Sequence, residues 1–175
     1  MEKINKYEAN RLTMAIISSA AEGALASYVL EVEKEYEVSM RPLEIVDRSC
    51  RYFGSSYMGR KTGTKDTIGI THKPPIVVDA ANSIYLFPTA ASSRPQCSWI
   101  SHQYIEDYKS TGEAETQVTF SNQKSLILPV SIHSFENQLY RTAQLRAVIS
   151  SRVENEKRIF TQMMYSRSQG ETFRA

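Results

Sequence analysis

Apolar and polar positions alternate along most of this chain in short runs, and they take helical spacing in two places. Thr13 to Ser18 and Tyr28-Val29-Leu30-Glu31-Val32-Glu33 follow the period of a strand with one wet face. Pro42 then opens a helix over about residues 42–53, because its missing N–H and fixed φ suit the first turn. Leu43, Val46, Cys50 and Phe53 fall at i, i+3, i+7 and i+10, a single apolar stripe that stops before Gly54. Past a glycine-rich loop come short β-branched or aromatic runs: Thr67 to Thr71, Ile76 to Val78, Ile84 to Phe87, Ser98 to Ile105, Thr116 to Phe120 and Leu126 to Val130. Ser121-Asn122-Gln123-Lys124 is the hairpin turn between the last two.

Ser134 caps a second helix, with Glu136 placed for its first turn. Phe135, Leu139, Thr142, Leu145, Ile149 and Val153 recur at a mean step near 3.6, which extends this helix over about 134–153. From Glu154 the chain is polar and capless, so residues 154–175 are expected to form a mobile tail on a single domain spanning 1–153. The fold class this predicts is α+β, antiparallel hairpins packed with two helices.

Composition agrees with one globular domain: 175 residues, 41% hydrophobic. No apolar run approaches the length of a bilayer span, so no membrane segment is expected. The stretch MAIISSAA mimics part of a secretory signal, but Glu2 and Glu8 spoil its basic start. Two cysteines, Cys50 and Cys97, make no disulfide framework and fit a reduced, cytoplasmic setting.

Charge changes the picture. The chain nets only +2, yet Arg41 to Lys73 holds seven bases (Arg41, Arg48, Arg51, Arg60, Lys61, Lys65, Lys73) against Glu44, Asp47 and Asp66. The preceding forty residues hold four bases and seven acids. A basic segment in an acidic context is the footprint of a phosphate-rich partner. Its centre, Gly54 to Lys65, mixes three glycines, hydroxyls and fixed cations, the groups from which sugar-phosphate contacts are built. Arg60, Lys61, Lys65 and Lys73 are the better phosphate ligands. Arg48 and Arg51 stand four residues after Glu44 and Asp47, so they serve either DNA or their own helix. Arg94 is the only cation between Pro74 and Ile105 and either reaches a phosphate or braces a loop.

The strings RPLEIVDRSCRYFGSSYMGRKTGT, HKPPIVVD, IYLFPT, SSRPQCSWISH, VTFSN and SFENQLYRTAQLR resemble, in order and spacing, the competence transcription factor ComK family, over roughly Val38 to Leu145. The resemblance implies a bacterial activator of DNA-uptake genes, working on the nucleoid. Such a protein binds paired AT-rich boxes in double-stranded promoter DNA as a homo-oligomer. It also implies a C-terminal patch for the adaptor of a Clp protease, matched by Phe160, Met163, Met164 and Tyr165. The proline expected after that tyrosine is Ser166 here. A ComK-like paralogue that binds DNA or a partner without activating remains an alternative, motivated by the short tail.

Other chemistry is weaker. Gly54 to Thr62 nearly spells a nucleotide-binding loop, but an extra residue separates Gly59 from Lys61, and the segment follows a helix. A phosphate-ligand enzyme and a module for an acidic protein are the rival classes. Cys50, Cys97, His72 and His102 lack the tight pairs of a zinc site, and no cofactor or catalytic motif is implied. Trp99 reads as a core aromatic. Arg141 and Arg152 share a flank of the second helix, while Arg146 lies near its apolar stripe and needs a partner or a subunit boundary.

Overall fold

The computed structural model describes residues 1–21 and 24–168. Among these residues ten strands and three helices build a mixed α+β domain. They are β1 (Glu2–Ile4), β2 (Thr13–Ala21), β3 (Ala24–Glu31), β4 (Glu35–Val38), α1 (Pro42–Tyr52), α2 (Tyr57–Ile68), β5 (Ile76–Asp79), β6 (Ile84–Pro88), β7 (Trp99–Ser101), β8 (Ile105–Gly112), β9 (Glu115–Phe120), β10 (Ser125–Leu128) and α3 (Ile132–Ser168). Seven strands form one sheet in the order β1-β4-β3-β2-β7-β6-β5, antiparallel except where β1 runs parallel to β4. The order β10-β9-β8 forms a second, antiparallel sheet.

Period-2 alternation sorts the side chains of the large sheet. Ile76, Val78, Ile84 and Leu86 face α1 and pack with Ile45, Val46, Cys50, Tyr57 and Trp99. Met14, Leu30, Phe87 and Ile100 point the other way, against Val118, Phe120 and Leu128 of the small sheet and Phe135 of α3. Val77 and Tyr85 meet Leu145 and Ile149 of α3, with Ile68 from the end of α2. The domain is thus three layers, with the large sheet in the middle. Trp99 is fully buried, as its sequence context predicts, and its ring meets Tyr57 edge-on at 6.0 Å.

Several expectations are corrected. Among the described residues there are three helices, because most of the expected glycine-rich loop is α2. The run Thr67 to Thr71 is not a strand: α2 passes through Thr67 and Ile68, and Gly69 ends it in the left-handed conformation (φ 73°), its N–H returning to Lys65 O at 2.8 Å. Ser98 to Ile105 divides between β7, a 3₁₀ turn (His102–Tyr104) and the start of β8. The second helix starts two residues early and runs to Ser168, so residues 154–168 are helical. Ser131, not Ser134, takes the capping position, its Oγ accepting the Ser134 N–H at 3.3 Å. No Pro or Gly interrupts 132–168, so the end of the apolar stripe at Val153 did not end the helix.

Candidate nucleic-acid interface

Helix α2 has no apolar stripe. Only Tyr57 and Thr64 are buried, and Gly59 and Gly63 each disfavour a helix by about 1 kcal/mol relative to Ala. Its ends hold it. Ser56 Oγ accepts the Gly59 N–H at 3.0 Å, and Asp47 of α1 reaches across to accept the Tyr57 N–H at 2.9 Å. That N–H, and then Arg51, hold the Asp47 carboxyl below the usual carboxylate range. Thr64 Oγ1 donates to Pro75 O at 2.7 Å, fastening α2 to the start of β5. The α2 N-terminus is therefore occupied by the chain's own oxygens, which leaves no open cradle for a nucleotide phosphate there.

Successive 100° steps send Met58, Gly59, Thr62, Gly63 and Asp66 outward, with Lys61 and Lys65 on the flank. Lys65 is exposed and Lys61 partly so. Arg60 differs: it is half-buried, and its Nε is enclosed with no hydrogen-bond partner. Its charge is felt by both Cys50 and Tyr85. A Cβ on Gly59 would meet Ser55 Oγ at 3.1 Å, whereas one on Gly63 would meet nothing within 4 Å. Packing therefore gives Gly63 no reason to be glycine. Gly63→Ala should raise stability by up to about 1 kcal/mol. A bulkier Gly63→Glu should weaken DNA binding if this bare backbone lies against a duplex; a melting curve and a DNA titration of both variants check this.

Beyond Gly69 the chain turns along α3. Lys73 holds a left-handed backbone (φ 48°), uncommon for a residue with a Cβ. Gln138 fixes it, its Nε2 donating to Lys73 O at 3.1 Å and Pro88 O at 2.8 Å. Lys73 thereby lines a cleft of about 490 Å³ with His72, Arg94, Gln96, Ser131 and Ser134, and no carboxylate is among its lining residues. Two cations that the sequence left apart, Lys73 and Arg94, share this cleft.

Residues that sequence reasoning placed only on a helix flank join them. Arg141 Nη1 donates to His72 O at 3.3 Å, and Arg152 Nη1 to Thr67 Oγ1 at 3.4 Å. Helix α3 thus lays its basic flank beside the end of α2 and the 72–73 turn. The spacing of Arg141 and Arg152 was the available signal; what they dock against was not legible.

The α1 arginines lie elsewhere. They line a separate cleft with Glu8, Glu44 and Asp47, where acids match them. Arg51 pairs with Asp47 at 2.7 Å, as its spacing predicts. Arg48 does not pair with Glu44; it meets Glu8 at 2.5 Å. Glu44 instead accepts the Arg41 N–H at 2.8 Å at the start of α1, where a carboxylate satisfies an otherwise unpaired donor. Arg146 finds its partner within the chain, its guanidinium 5.7 Å from the centre of the Tyr85 ring. Burial pushes the Cys50 thiol up to about 11 and raises Cys97 as well, so neither is poised as a thiolate. Among the described residues no cluster of His, Cys, Asp and Glu is placed to hold a metal, and no helix is long and apolar enough to cross a membrane.

Phe160, Met163, Met164 and Tyr165 all lie on the exposed end of α3. Tyr165 projects from a different side of the helix than the other three.

Fold and surface together define a mixed α+β domain in which Lys73 and Arg94 share one cleft while Arg141 and Arg152 of α3 bond to the 72–73 turn and the end of α2. The chain belongs to the ComK family: the pattern of the ComK protein family matches residues 4–154. It is 50% identical over 152 residues to the competence transcription factor of Bacillus subtilis (strain 168), covering 87% of this chain and 79% of that one. No solved structure is significantly similar to it.

Proposed function

We propose that this chain is a competence transcription factor, a DNA-binding activator that acts in the cytoplasm on AT-rich boxes of nucleoid DNA. The observation that carries the DNA-binding part is the cleft that holds Lys73 and Arg94 without a carboxylate, with Arg141 bonded to the carbonyl of His72 at its edge and Arg152 bonded to Thr67 at the end of α2. Cations so arranged neutralise backbone phosphates and release counterions, and a narrow AT-rich minor groove has the negative potential that attracts an inserted basic side chain. Phosphate contacts of this kind set position; the preference for AT follows from the family resemblance. No bond is made or broken, so the activity asks only for binding and for contact with the transcription machinery.

Fluorescence anisotropy with AT-rich and GC-rich duplexes of equal length, across a salt series, tests this. The expected result is tighter binding to the AT-rich duplex and a steep loss of affinity with salt. Indifference to base composition, or absence of binding at low salt, would sink the proposal.

The exposed Phe160, Met163 and Met164 favour a second role for the end of α3, the recognition patch of a Clp-protease adaptor. Truncation after Lys157 should leave affinity for a single box within about threefold, roughly 0.65 kcal/mol. It should also lengthen the protein's lifetime in a host that supplies adaptor and protease. Turnover at the same rate as the full chain would remove the adaptor from the account.

A further inference from the structure

Arg94 lines a second cleft besides the one it shares with Lys73. This cleft, of about 120 Å³, lies between the start of α1 and the loop after β6. Arg41, Arg94, Ser92 and Ser93 line it, beside the apolar wall of Pro42, and no carboxylate does. Both arginines are exposed, and neither guanidinium is paired with a carboxylate among the described residues. Glu44, close to Arg41 in sequence, is engaged elsewhere. Its Oε2 accepts the Arg41 backbone N–H at 2.8 Å, and it lines the other cleft, with Arg48 and Arg51.

The loop keeps its shape without the Arg94 side chain. Two backbone turns close it, Arg94 N–H to Ala91 O at 2.9 Å and Cys97 N–H to Arg94 O at 3.1 Å. Ser18 Oγ of β2 donates to Pro95 O at 2.7 Å, and the Tyr57 hydroxyl of α2 donates to Ser92 Oγ at 2.8 Å. Of the two roles open to Arg94 in the sequence, bracing the loop is thus performed by other groups. Ser92, which accepts from Tyr57, keeps its own O–H for a further acceptor.

We propose that this cleft holds one backbone phosphate of the duplex, bound by the guanidinium groups of Arg41 and Arg94 and the hydroxyl of Ser92. The chemistry selects an oxyanion: two planar donor forks and a hydroxyl, with no acid to compete for them. The size selects a single phosphate carried on a chain, since pockets for whole small molecules run to roughly 300–1,000 Å³. The helix end is not the source of the site, because Pro42 has no N–H and Glu44 already holds that of Arg41. Donors on a loop this well fastened need little ordering when the phosphate arrives. Arg94 lines both clefts, so the DNA backbone crosses the 90–97 loop at Arg94, with Lys73 and Arg41 as its neighbouring contacts. The start of α1 therefore joins the interface, while Arg48 and Arg51 further along that helix stay with Glu8 and Asp47. Arg41 is a positioning residue, fixing register on the duplex without reading a base. The identity of the ligand rests on the DNA-binding reading.

Arg41→Ala and Arg48→Ala remove the same charge from one short stretch of chain, so the pair separates a phosphate contact from a change in net charge. Both are titrated with an AT-rich duplex across a salt series, read by fluorescence anisotropy. Arg41→Ala should lose at least about threefold in affinity near physiological salt and flatten the slope of log K against log salt by about 0.9. Arg41→Lys, which keeps the charge, should keep the wild-type slope. Arg41→Ala/Arg94→Ala should flatten it about twice as much as Arg41→Ala alone, and Arg48→Ala should leave it unchanged. Arg41→Ala should melt with wild type, since its guanidinium pairs with no acid of the fold. An Arg41→Ala slope and affinity equal to those of Arg48→Ala would overturn the proposal. So would Nε–H NMR signals of Arg41 and Arg94 that shift with inorganic phosphate and not with the duplex, the mark of a site for a free anion. A wild type that binds no duplex at low salt would refute the DNA-binding reading itself, and this assignment with it.

Discussion

Replacing Lys61, Lys65, Lys73 and Arg94 together with alanine is expected to lower affinity for duplex DNA at least about tenfold near physiological salt. The slope of log K against log salt should flatten by about 3 to 4, close to one per phosphate contact removed. These four are chosen on their surroundings. Lys65 and Arg94 are exposed, Lys61 and Lys73 partly so, and Lys73 and Arg94 share a cleft lined by no carboxylate. Arg60 is left out because it is half-buried with an enclosed Nε, so its removal would disturb the packing under α2 and confuse the result. Surface substitutions of this kind usually change stability by about 0.5 kcal/mol or less each, so a normal melting curve should accompany the lost affinity. The α1 arginines serve as the control. Arg48→Ala and Arg51→Ala remove pairs to Glu8 and Asp47, and should lower stability by a few tenths of a kcal/mol while leaving DNA affinity alone. If the quadruple variant keeps the wild-type salt slope, these four cations are not the groups that meet DNA.

What the sequence makes legible depends on whether an element carries its own periodicity. The stripe of α1 and the alternation of β9 bury one face each, and β5 and β6, covered on both faces, are continuous β-branched or aromatic runs, so composition and spacing report them. Helix α2 buries almost nothing. Its stability comes from a cap at Ser56, a carboxylate on the preceding helix and a bond to Pro75, and only the first is local in sequence. Two helical glycines then make it look like a loop. The 153–168 part of α3 is missed for the opposite reason, since an exposed helix has no buried stripe to announce it. The parallel pairing of β1 with β4 joins segments more than thirty residues apart and leaves no local signature.

The same distinction governs the candidate interface. A surplus of lysine and arginine in one segment is a local property, and it is what singles out Lys61, Lys65 and Lys73 in the sequence. Whether a given cation is free depends on contacts distant in sequence. Arg48 finds Glu8 forty residues upstream, and the 72–73 turn finds Arg141 and Gln138 some seventy residues downstream. Docking α3 against the end of α2 therefore enlarges the basic surface beyond the segment that suggested it.

Removing the Asp47 carboxylate should unseat α2 and carry the DNA-binding surface with it. Asp47 joins the two helices: Oδ1 takes the Tyr57 N–H at 2.9 Å, and Oδ2 takes Arg51 Nε at 2.7 Å. A helix with an apolar stripe tolerates the loss of a cap, but α2 has none and carries two interior glycines. Asp47→Ala should cost about 1 to 2 kcal/mol, at the upper end for a cap. The pH dependence gives the sign. The carboxyl is held below its ordinary range in the fold, by the Tyr57 N–H first and Arg51 next, so its contribution is fully present above the unfolded-state value near 3.9. It is lost as pH falls through the folded value. Asp47→Asn, which keeps an acceptor oxygen but no charge, should melt below wild type at pH 7 and converge with it as pH falls through the folded value. Hydrogen exchange should quicken in residues 57–68 of either variant, and DNA affinity should drop although no phosphate-contacting side chain has changed. Melting curves of wild type and Asp47→Asn that run parallel at every pH would show that the charge of Asp47 does not hold α2 in place.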